Sequence, residues 1–525
     1  MAIIIGTAGS DTRTGTAGSD TIYGGSGDDR LAGGAGGDLV QGDPGTDRVS
    51  GGNGNDRVFG GNGDDTVEGN AGEDMLYGGA GDDFVTAGDS DDSAFGNSGE
   101  DVVDGAAVND SIDGAEGSDA ILGGLGNDRL FGSEGPDYVE GGPGNEKVFG
   151  GNDDDVLFGG DPEGAQPDHA DTLYGGAGDD AVQGGAGADS VLGDSGNDDL
   201  SGGSDRDRLF GGAGEDVLDG STGNDTLDGG DDRDLATYDM AGSAVRISLA
   251  ADTAGGGGGV DRLIGIEDLR GSRFSDTLTG DEGSNKLDDW GSGADTLFAA
   301  GGDDSADGGE GSDRIYGSAG NDSLRGWDGA DRLDGGSEDD LAEGNRGNDR
   351  IWGQTGSDRL YGGFALDDGF DDLSGSDGLY GGDEDDSLYG LGGADSLYGG
   401  NGSDLVSGGG GDGGAYSVDE GEAGPTLTAG AGYDRLFGGS GADLFVLTDA
   451  AADGPALDLV GDFELGTDSV QLAASSHPVQ TVVIGGTLGL GLLIQAGGGE
   501  QDALFLVGVE TTLAETRSDD TILLG

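Results

Sequence analysis

Along most of the chain, apolar residues stand singly and recur every nine positions. Counted in nine-residue frames from Gly6, seventeen frames run without insertion to Phe158. The eighth position is apolar in all of them except the first, which carries Arg13. The series begins Ile22, Leu31, Val40, Val49, Val58, Val67 and Leu76 and continues to Leu157. A helix would show apolar positions three and four apart, and an ordinary half-buried strand would alternate over four or more residues. Neither pattern is present. One apolar residue per frame predicts a short strand that turns a single side chain inward before the chain bends away. The first position is Gly in every frame but one, where Ala87 stands. Glycine admits the positive φ of a tight turn and lets a carbonyl approach a neighbour with no Cβ in the way. A frame such as Gly60-Gly61-Asn62-Gly63-Asp64-Asp65-Thr66-Val67-Glu68 then divides into six loop residues and three strand residues. Successive strands alternate between two sheets, so one turn takes two frames. Each strand pairs with the strand one turn away, at a spacing of roughly 4.8 Å.

The sixth position carries the chemistry. In the first block it reads Asp11, Asp20, Asp29, Asp38, Asp47, Asp56, Asp65, Asp74, Asp83, Asp92, Asp101, Asp110, Asp119, Asp128, Asp137, Glu146 and Asp155. A second block from Gly175 gives Asp180, Asp189, Asp198, Asp207, Asp216, Asp225 and Asp234. A looser third block from Gly271 gives Asp276 and then, after a one-residue shift, Asp295, Asp304, Asp313, Asp322, Asp331, Asp340, Asp349 and Asp358. Asp386, Asp395 and Asp404 follow, then Asp434 and Asp443. Asn285 replaces Asp once, which removes a charge, and the longer stem of Glu146 fits a ligand position less well. A carboxylate supplies the hard anionic oxygen that Ca²⁺ prefers, and Ca²⁺ takes six to eight oxygens. One loop cannot offer so many, whereas two loops stacked one turn apart can. The ion is expected between turns, and the stacking gives on the order of 30 sites as an upper figure.

These frames match Gly-Gly-x-Gly-x-Asp-x-apolar-x, and over most of residues 6 to 446 the chain resembles the RTX (hemolysin-type, repeats-in-toxin) calcium-binding repeats. The resemblance implies an all-β protein: a parallel β-roll, that is a right-handed β-solenoid, in several stacked blocks with a small C-terminal β-cap. It implies Ca²⁺ as the cofactor, held by the sixth-position aspartates.

Composition narrows the reading. The chain holds 125 glycines, 108 acidic and 22 basic residues, for a formal net charge of −86. Phosphate binding needs clustered Lys and Arg, so nucleic acid is not expected as a partner, and an anionic membrane is disfavoured for the same reason. With 8 prolines and no glycine at every third position the chain is not collagen. It has no Cys, so neither disulfides nor thiolate sites staple it. Met1 to Gly6 lacks a basic leader segment, and the apolar stretch around Leu488 to Ile494 is too short to span a bilayer, so no transmembrane segment is expected. Without calcium, like-charge repulsion should keep the chain expanded.

The expected organisation is a first block at 1–158, a loop insertion at 159–174, a second block at 175–237 and a non-repeat β connector at 238–270. An irregular third block at 271–407, a flexible break at 408–428, terminal repeats at 429–446 and a cap at 447–525 follow. Leu459-Val460-Gly461-Asp462-Phe463 and Gly466-Thr467-Asp468 resemble the C-terminal cap of RTX proteins, and the last residues resemble their uncleaved type I secretion signals. The ninth position is aromatic in six of eight even frames of the first block, including Phe59, Tyr77 and Phe95. This predicts an aromatic ladder on one wall, read either as cross-strand stacking or as a docking face. His169 and His477 are isolated, and no zinc, nucleophile-elbow or phosphate-loop motif is present, so no enzyme is expected. The resemblance implies a secreted or cell-surface bacterial protein whose partners are calcium and the type I secretion machinery, with self-association or a cell-surface glycan beyond these. The competing reading is the secretion and folding module of a toxin or extracellular hydrolase. Repeats that begin at Gly6 leave no room before them for such an activity.

Overall fold

The computed structural model describes residues 1–160, 169–363, 375–392, 395–401, 404–408, 426–429, 435–436 and 444–447. Beyond these it describes the backbones of strands Leu457–Val460, Ser469–Leu472, Thr481–Gly485, Gly491–Gln495, Ala503–Leu506 and Thr521–Ile522. The regular elements among the described residues are all strands, and no helix there is long and apolar enough to cross a membrane.

The single apolar residue per frame sets the packing. Strand Arg57–Asn62 buries Val58 and Gly60 and turns Arg57 and Asn62 outward. It pairs in parallel with Leu39–Pro44 on one side and Met75–Ala80 on the other, in the register Val40↔Val58 and Val58↔Leu76. Both partners stand 18 residues away, so one turn takes two frames. The eighth-position side chains from Ile22 to Leu157 are 0–3 % exposed. One small apolar side chain per frame removes too little surface from water to offset the ordering of nine residues. The inter-turn hydrogen bonds and the turns themselves therefore carry much of the fold.

Most strands of the repeat blocks are longer than expected, at six residues rather than three. The extra residues are the Gly-Gly-x of the following frame. Identical turns stack, so their backbone groups stay in ladder register: the Gly54 N–H donates to the Ala71 carbonyl at 2.6 Å and that of Gly63 to Ala80 at 2.6 Å. The left-handed residue inside this run, such as Gly61 with φ of 133°, bends the strand without ending its pairing.

The chain divides into two compact units, Met1–Gly242 with Asp252–Asp268, and Ser243–Ala251 with Leu269–Gly525. The division falls inside the non-repeat connector. In the first unit, Thr253–Gly256 and Gly259–Ile264 form an antiparallel hairpin, and the second of these strands continues the parallel ladder on Thr226–Asp231 through Leu227↔Leu263. In the second unit, Val245–Ser248 pairs with Thr277–Thr279 and buries Val245 and Ile247. Insertions leave the ladder intact. Lys147 pairs with Thr172 across the first, and Arg350 with Gly378 across a second within the third block.

Towards the C-terminus parallel pairing gives way to antiparallel pairing. Leu444–Leu447 and Leu457–Val460 pair in parallel with Ser469–Leu472 and Thr481–Gly485, whereas Gly491–Gln495 pairs antiparallel with both Thr481–Gly485 and Ala503–Leu506. The 161–168 loop, most of the 408–428 segment and all but Thr521–Ile522 of the secretion-signal segment lie outside the described residues.

The ninth-position aromatics stack ring on ring. Phe59 and Tyr77 lie 4.7 Å apart and 2° from parallel, and Tyr77 and Phe95 lie 4.9 Å apart. A second run joins Phe131, Phe149 and Tyr174 at 4.9 and 4.8 Å. Asp113 separates the two runs, where it accepts a hydrogen bond from the Ser133 hydroxyl at 2.9 Å.

Candidate metal centres

Stacked turns place the sixth-position aspartates in columns, one carboxylate per turn. These side chains are buried: Asp29 and Asp101 are 1 % exposed, Asp65 and Asp137 3 %. The chain fixes one oxygen of each. Oδ1 of Asp65 accepts the Asp47 N–H at 2.7 Å, and Oδ1 of Asp83 accepts that of Asp65 at 2.7 Å. The same bond repeats one turn at a time to Asp234 in the first unit and from Asp276 to Asp404 in the second.

The other oxygen is treated differently. Oδ2 is buried and accepts no hydrogen bond at every ninth residue from Asp29 to Asp137, and at Asp155, Asp180, Asp198, Asp207, Asp216, Asp225 and Asp234. The same holds in the second unit at Asp295, Asp304, Asp313, Asp322, Asp331, Asp340, Asp349, Asp358 and Asp386. Asp189, Asp395 and Asp404 are buried in the same register, each accepting a backbone N–H through Oδ1 at 2.8 to 3.0 Å. Asp434 and Asp443 lie outside the described residues. A buried carboxylate oxygen without a donor is costly, and a row of them calls for cations.

The first-position glycine completes the arrangement. A Cβ on Gly60 would stand 2.5 Å from the Gly78 carbonyl oxygen and 2.6 Å from Asp65 Oδ2. At Gly24 the corresponding oxygens are those of Gly42 and Asp29, at 2.5 and 2.4 Å. A carboxylate oxygen and a carbonyl oxygen from the next turn thus converge beside the glycine Cα, hard oxygens of the kind Ca²⁺ takes. Gly60 and Gly24 are required for room, not for a left-handed backbone.

Three predicted residues are satisfied by the protein itself. Thr7 donates to Asp11 Oδ2 from its N–H at 2.6 Å and its hydroxyl at 2.8 Å, and Thr16 serves Asp20 in the same way. Ser272 does so for Asp276 at 2.6 and 2.8 Å. In each, Thr or Ser stands at the second position, where most frames have Gly. Two substituted frames also differ. A Cβ on Gly141 would meet the Glu146 Cγ at 2.7 Å, so a methylene lies where other frames turn an oxygen. Asn285 Oδ1 accepts the Asp281 N–H at 2.8 Å.

The columns also contain residues that the frame count passed over. Asp171 and Asp377 accept the N–H of Glu146 and Asp349 at 2.7 and 2.9 Å, and Asp261 accepts that of Asp225 at 2.9 Å. Asp171 and Asp377 show only the short run Asp-x-apolar-aromatic, as in Asp171-Thr172-Leu173-Tyr174, without the first two glycines of the frame. Asp261 keeps the whole frame, Gly256-Gly257-Gly258-Gly259-Val260-Asp261-Arg262-Leu263-Ile264, as a lone copy inside the connector. Asp289 was passed over as well. It stands at a first position, in place of Gly, and its carboxylate lies against those of Asp276 and Asp295.

Burial raises the carboxyl pKa values along the columns. Asp65, Asp74 and Asp83 are pushed up to about 7, chiefly by desolvation, opposed by the backbone N–H bonds and reinforced by carboxylates one turn away. Asp110 and Asp386 reach about 8 and Asp289 about 9 for the same leading reason. Asp20 is held down at about 2, first by the Thr16 hydroxyl. Two charges about 5 Å apart repel by roughly 3 kcal/mol at an effective dielectric of 20. Fully ionised columns therefore need counter-charge inside the roll.

Among known families, the model described as RTX calcium-binding nonapeptide repeat (4 copies) matches the chain at residues 5–40, 41–76, 77–112, 95–130, 104–139, 131–161, 168–200, 201–236, 263–288, 291–314, 307–342, 334–365, 380–414 and 426–448. No curated protein matches it.

Proposed function

The chain belongs to the RTX calcium-binding nonapeptide-repeat family, and from that premise we propose that it is an exported, non-catalytic bacterial protein that folds on Ca²⁺ outside the cell and serves a structural, surface or adhesive role. The observation that carries the reading is the column of buried Oδ2 atoms without donors, which at frames such as those of Gly24, Gly42 and Gly60 lie beside a carbonyl from the next turn. The sixth-position aspartates and the first-position glycine carbonyls hold the ion. Bound there, Ca²⁺ supplies the positive charge that the columns lack. The protein's own share is to aim one oxygen at the cation while the N–H of the preceding turn pins the other.

At cytosolic calcium the columns stay ionised and mutually repelling, so the chain remains extended, the form in which a type I channel passes it. Extracellular modules bind calcium at about 10⁻⁴ to 10⁻³ M, which matches a switch at the cell exterior. The stacked wall Phe59–Tyr77–Phe95 is the surface we assign to self-association or to a cell-surface glycan. A calcium titration followed by circular dichroism, with Mg²⁺ as the control, tests the reading. A cooperative gain of β signal in the sub-millimolar to millimolar range with Ca²⁺ alone is expected. A β-rich fold that persists in chelator overturns it.

A further inference from the structure

One cluster in the second unit differs in kind from the repeat sites. Asp289 follows Leu287-Asp288 at the position that other frames give to Gly, and the one-residue shift of the third block falls between it and Asp295. The carboxylates of Asp276, Asp289 and Asp295 each present an oxygen within 4.8 Å of the others, and all three residues are buried. Asp289 is 0 % exposed, and its side-chain oxygens meet no donor at full hydrogen-bonding geometry, the Gly291 N–H alone approaching them. Oδ2 of Asp295 has no hydrogen-bonding partner. A Cβ on Gly271 would meet Asp289 Oδ2 at 2.6 Å and Asp276 Oδ2 at 3.0 Å. At turns such as those of Gly24 and Gly60 that space is shared by one carboxylate and a neutral carbonyl from the next turn; here it is shared by two carboxylates. The nearby cations do not answer it. Arg270 and Lys286 both pair with Asp288, at 3.4 and 3.1 Å, and among the described residues none of the three clustered aspartates has an ion pair with Lys or Arg.

We propose that Asp276, Asp289 and Asp295 form a hard-cation site of higher charge than the repeat sites, one that retains Ca²⁺ longest and takes a trivalent lanthanide in preference to them. The inference rests on the calcium-roll reading only in that the chain must be folded when it is probed. Coulomb attraction grows with the charge on both partners, and ligand charge count tunes calcium affinity. Exchanging a carbonyl for a carboxylate therefore strengthens the site for Ca²⁺, and more so for a trivalent ion. Asp276 contributes less than the others, because the Ser272 N–H and hydroxyl already occupy its Oδ2. The two oxygens of Asp289 and Oδ2 of Asp295 lead the ligand set.

Trp290 follows Asp289 in the chain and supplies an optical reporter. The full chain, loaded with Ca²⁺, is titrated with Tb³⁺ while terbium emission is excited at the red edge of tryptophan absorption. The first equivalent should produce a steep rise with a clear break, and Ca²⁺ in large excess should reverse it. Asp289→Asn should remove the break and lower the early emission several-fold, with the calcium-dependent circular dichroism unchanged. Trp290→Phe should silence the emission and leave Tb³⁺ uptake, read by chelator competition, as in the parent. If Asp289→Asn does not fold, Asp289→Gly, which restores the residue of ordinary frames, takes its place. A parent titration without a break, or a variant that titrates like the parent, overturns the proposal. Loss of calcium-dependent folding in the parent would instead sink the roll reading itself.

Discussion

At the scale of the residue, two side chains per frame decide the chemistry, an aspartate that brings an oxygen and a glycine that leaves room for a cation beside it. The glycine can be tested against itself. Gly60→Ala would press a methyl to 2.5 Å from the Gly78 carbonyl and 2.6 Å from Asp65 Oδ2, whereas a Cβ on Gly18 meets nothing within 4 Å. Gly60→Ala should raise the calcium midpoint of folding several-fold. Gly18→Ala should leave stability within about 0.5 kcal/mol of the parent, as read by the same titration. The aspartates give a pH prediction. Burial lifts Asp65, Asp74 and Asp83 from 3.8 to about 7 in the fold, so each binds its proton more tightly when folded than when unfolded. Without metal, that contribution to stability is fully present below about pH 4 and is lost as pH rises through about 7. In calcium-depleted buffer the β signal should therefore be stronger near pH 4.5 than near pH 7.5; the reverse order would contradict the burial of the columns. Most ligand aspartates were legible in the sequence because a fixed spacing to Gly and to one apolar residue marked them. Asp171 and Asp377 escaped because insertions removed the first two glycines of their frames, and Asp261, which keeps Gly256, Gly257 and Gly259, escaped because its frame stands alone in the connector. Asp289 escaped because it stands where the pattern requires Gly. The Thr7, Thr16 and Ser272 hydroxyls that donate to Asp11, Asp20 and Asp276 were also hidden, since a Thr or Ser at the second position reads as a mere substitution.

At the scale of the element, the period told where each strand lies but not how long it is. The eighth-position core was readable frame by frame. The six-residue strands were not, because Gly-Gly-x looks like loop in a single chain and becomes ladder only when an identical turn stacks on it. Register proved robust for the same reason. The hydrogen bond between columnar aspartates spans 25 residues across the first insertion, at Glu146 and Asp155, and 28 across the second, at Asp349 and Asp358, instead of 18. In neither case does the pairing slip, since a one-residue slip would turn every apolar side chain outward. The aromatic ladder belongs to this scale too. Tyr77 stacks on both Phe59 and Phe95, and each such contact is worth about 0.5–1.5 kcal/mol beyond the area it buries. Tyr77→Thr puts another residue favoured in strands in its place but loses both contacts, so chemical denaturation in saturating calcium should show a loss of about 1–3 kcal/mol. An undiminished midpoint would mean that the rings contribute nothing to the stability of the wall.

At the scale of the whole molecule, the formal charge of −86 poses a question that the columns answer. A general polyelectrolyte collapses whenever its charge is screened, by any salt. A chain with sites collapses only when the right ion enters them. The Debye length is about 10 Å at 0.1 M monovalent salt and about 3 Å at 1 M, so surface repulsion fades over that range. Salt cannot reach the donor-less Oδ2 atoms, which are buried between turns, and screening leaves their desolvation cost in place. Monovalent salt should therefore shrink the chelated chain without folding it. In chelator, small-angle scattering should give a radius of gyration approaching the roughly 85 Å of an unfolded chain of this length, falling gradually as salt rises while circular dichroism stays that of coil. Millimolar Ca²⁺ at low ionic strength should give a sharp drop in radius together with the β signal. If about 1 M monovalent salt produced the same β signal without calcium, the columns would be ordinary acidic surface, and the ion would be screening the chain and not completing it.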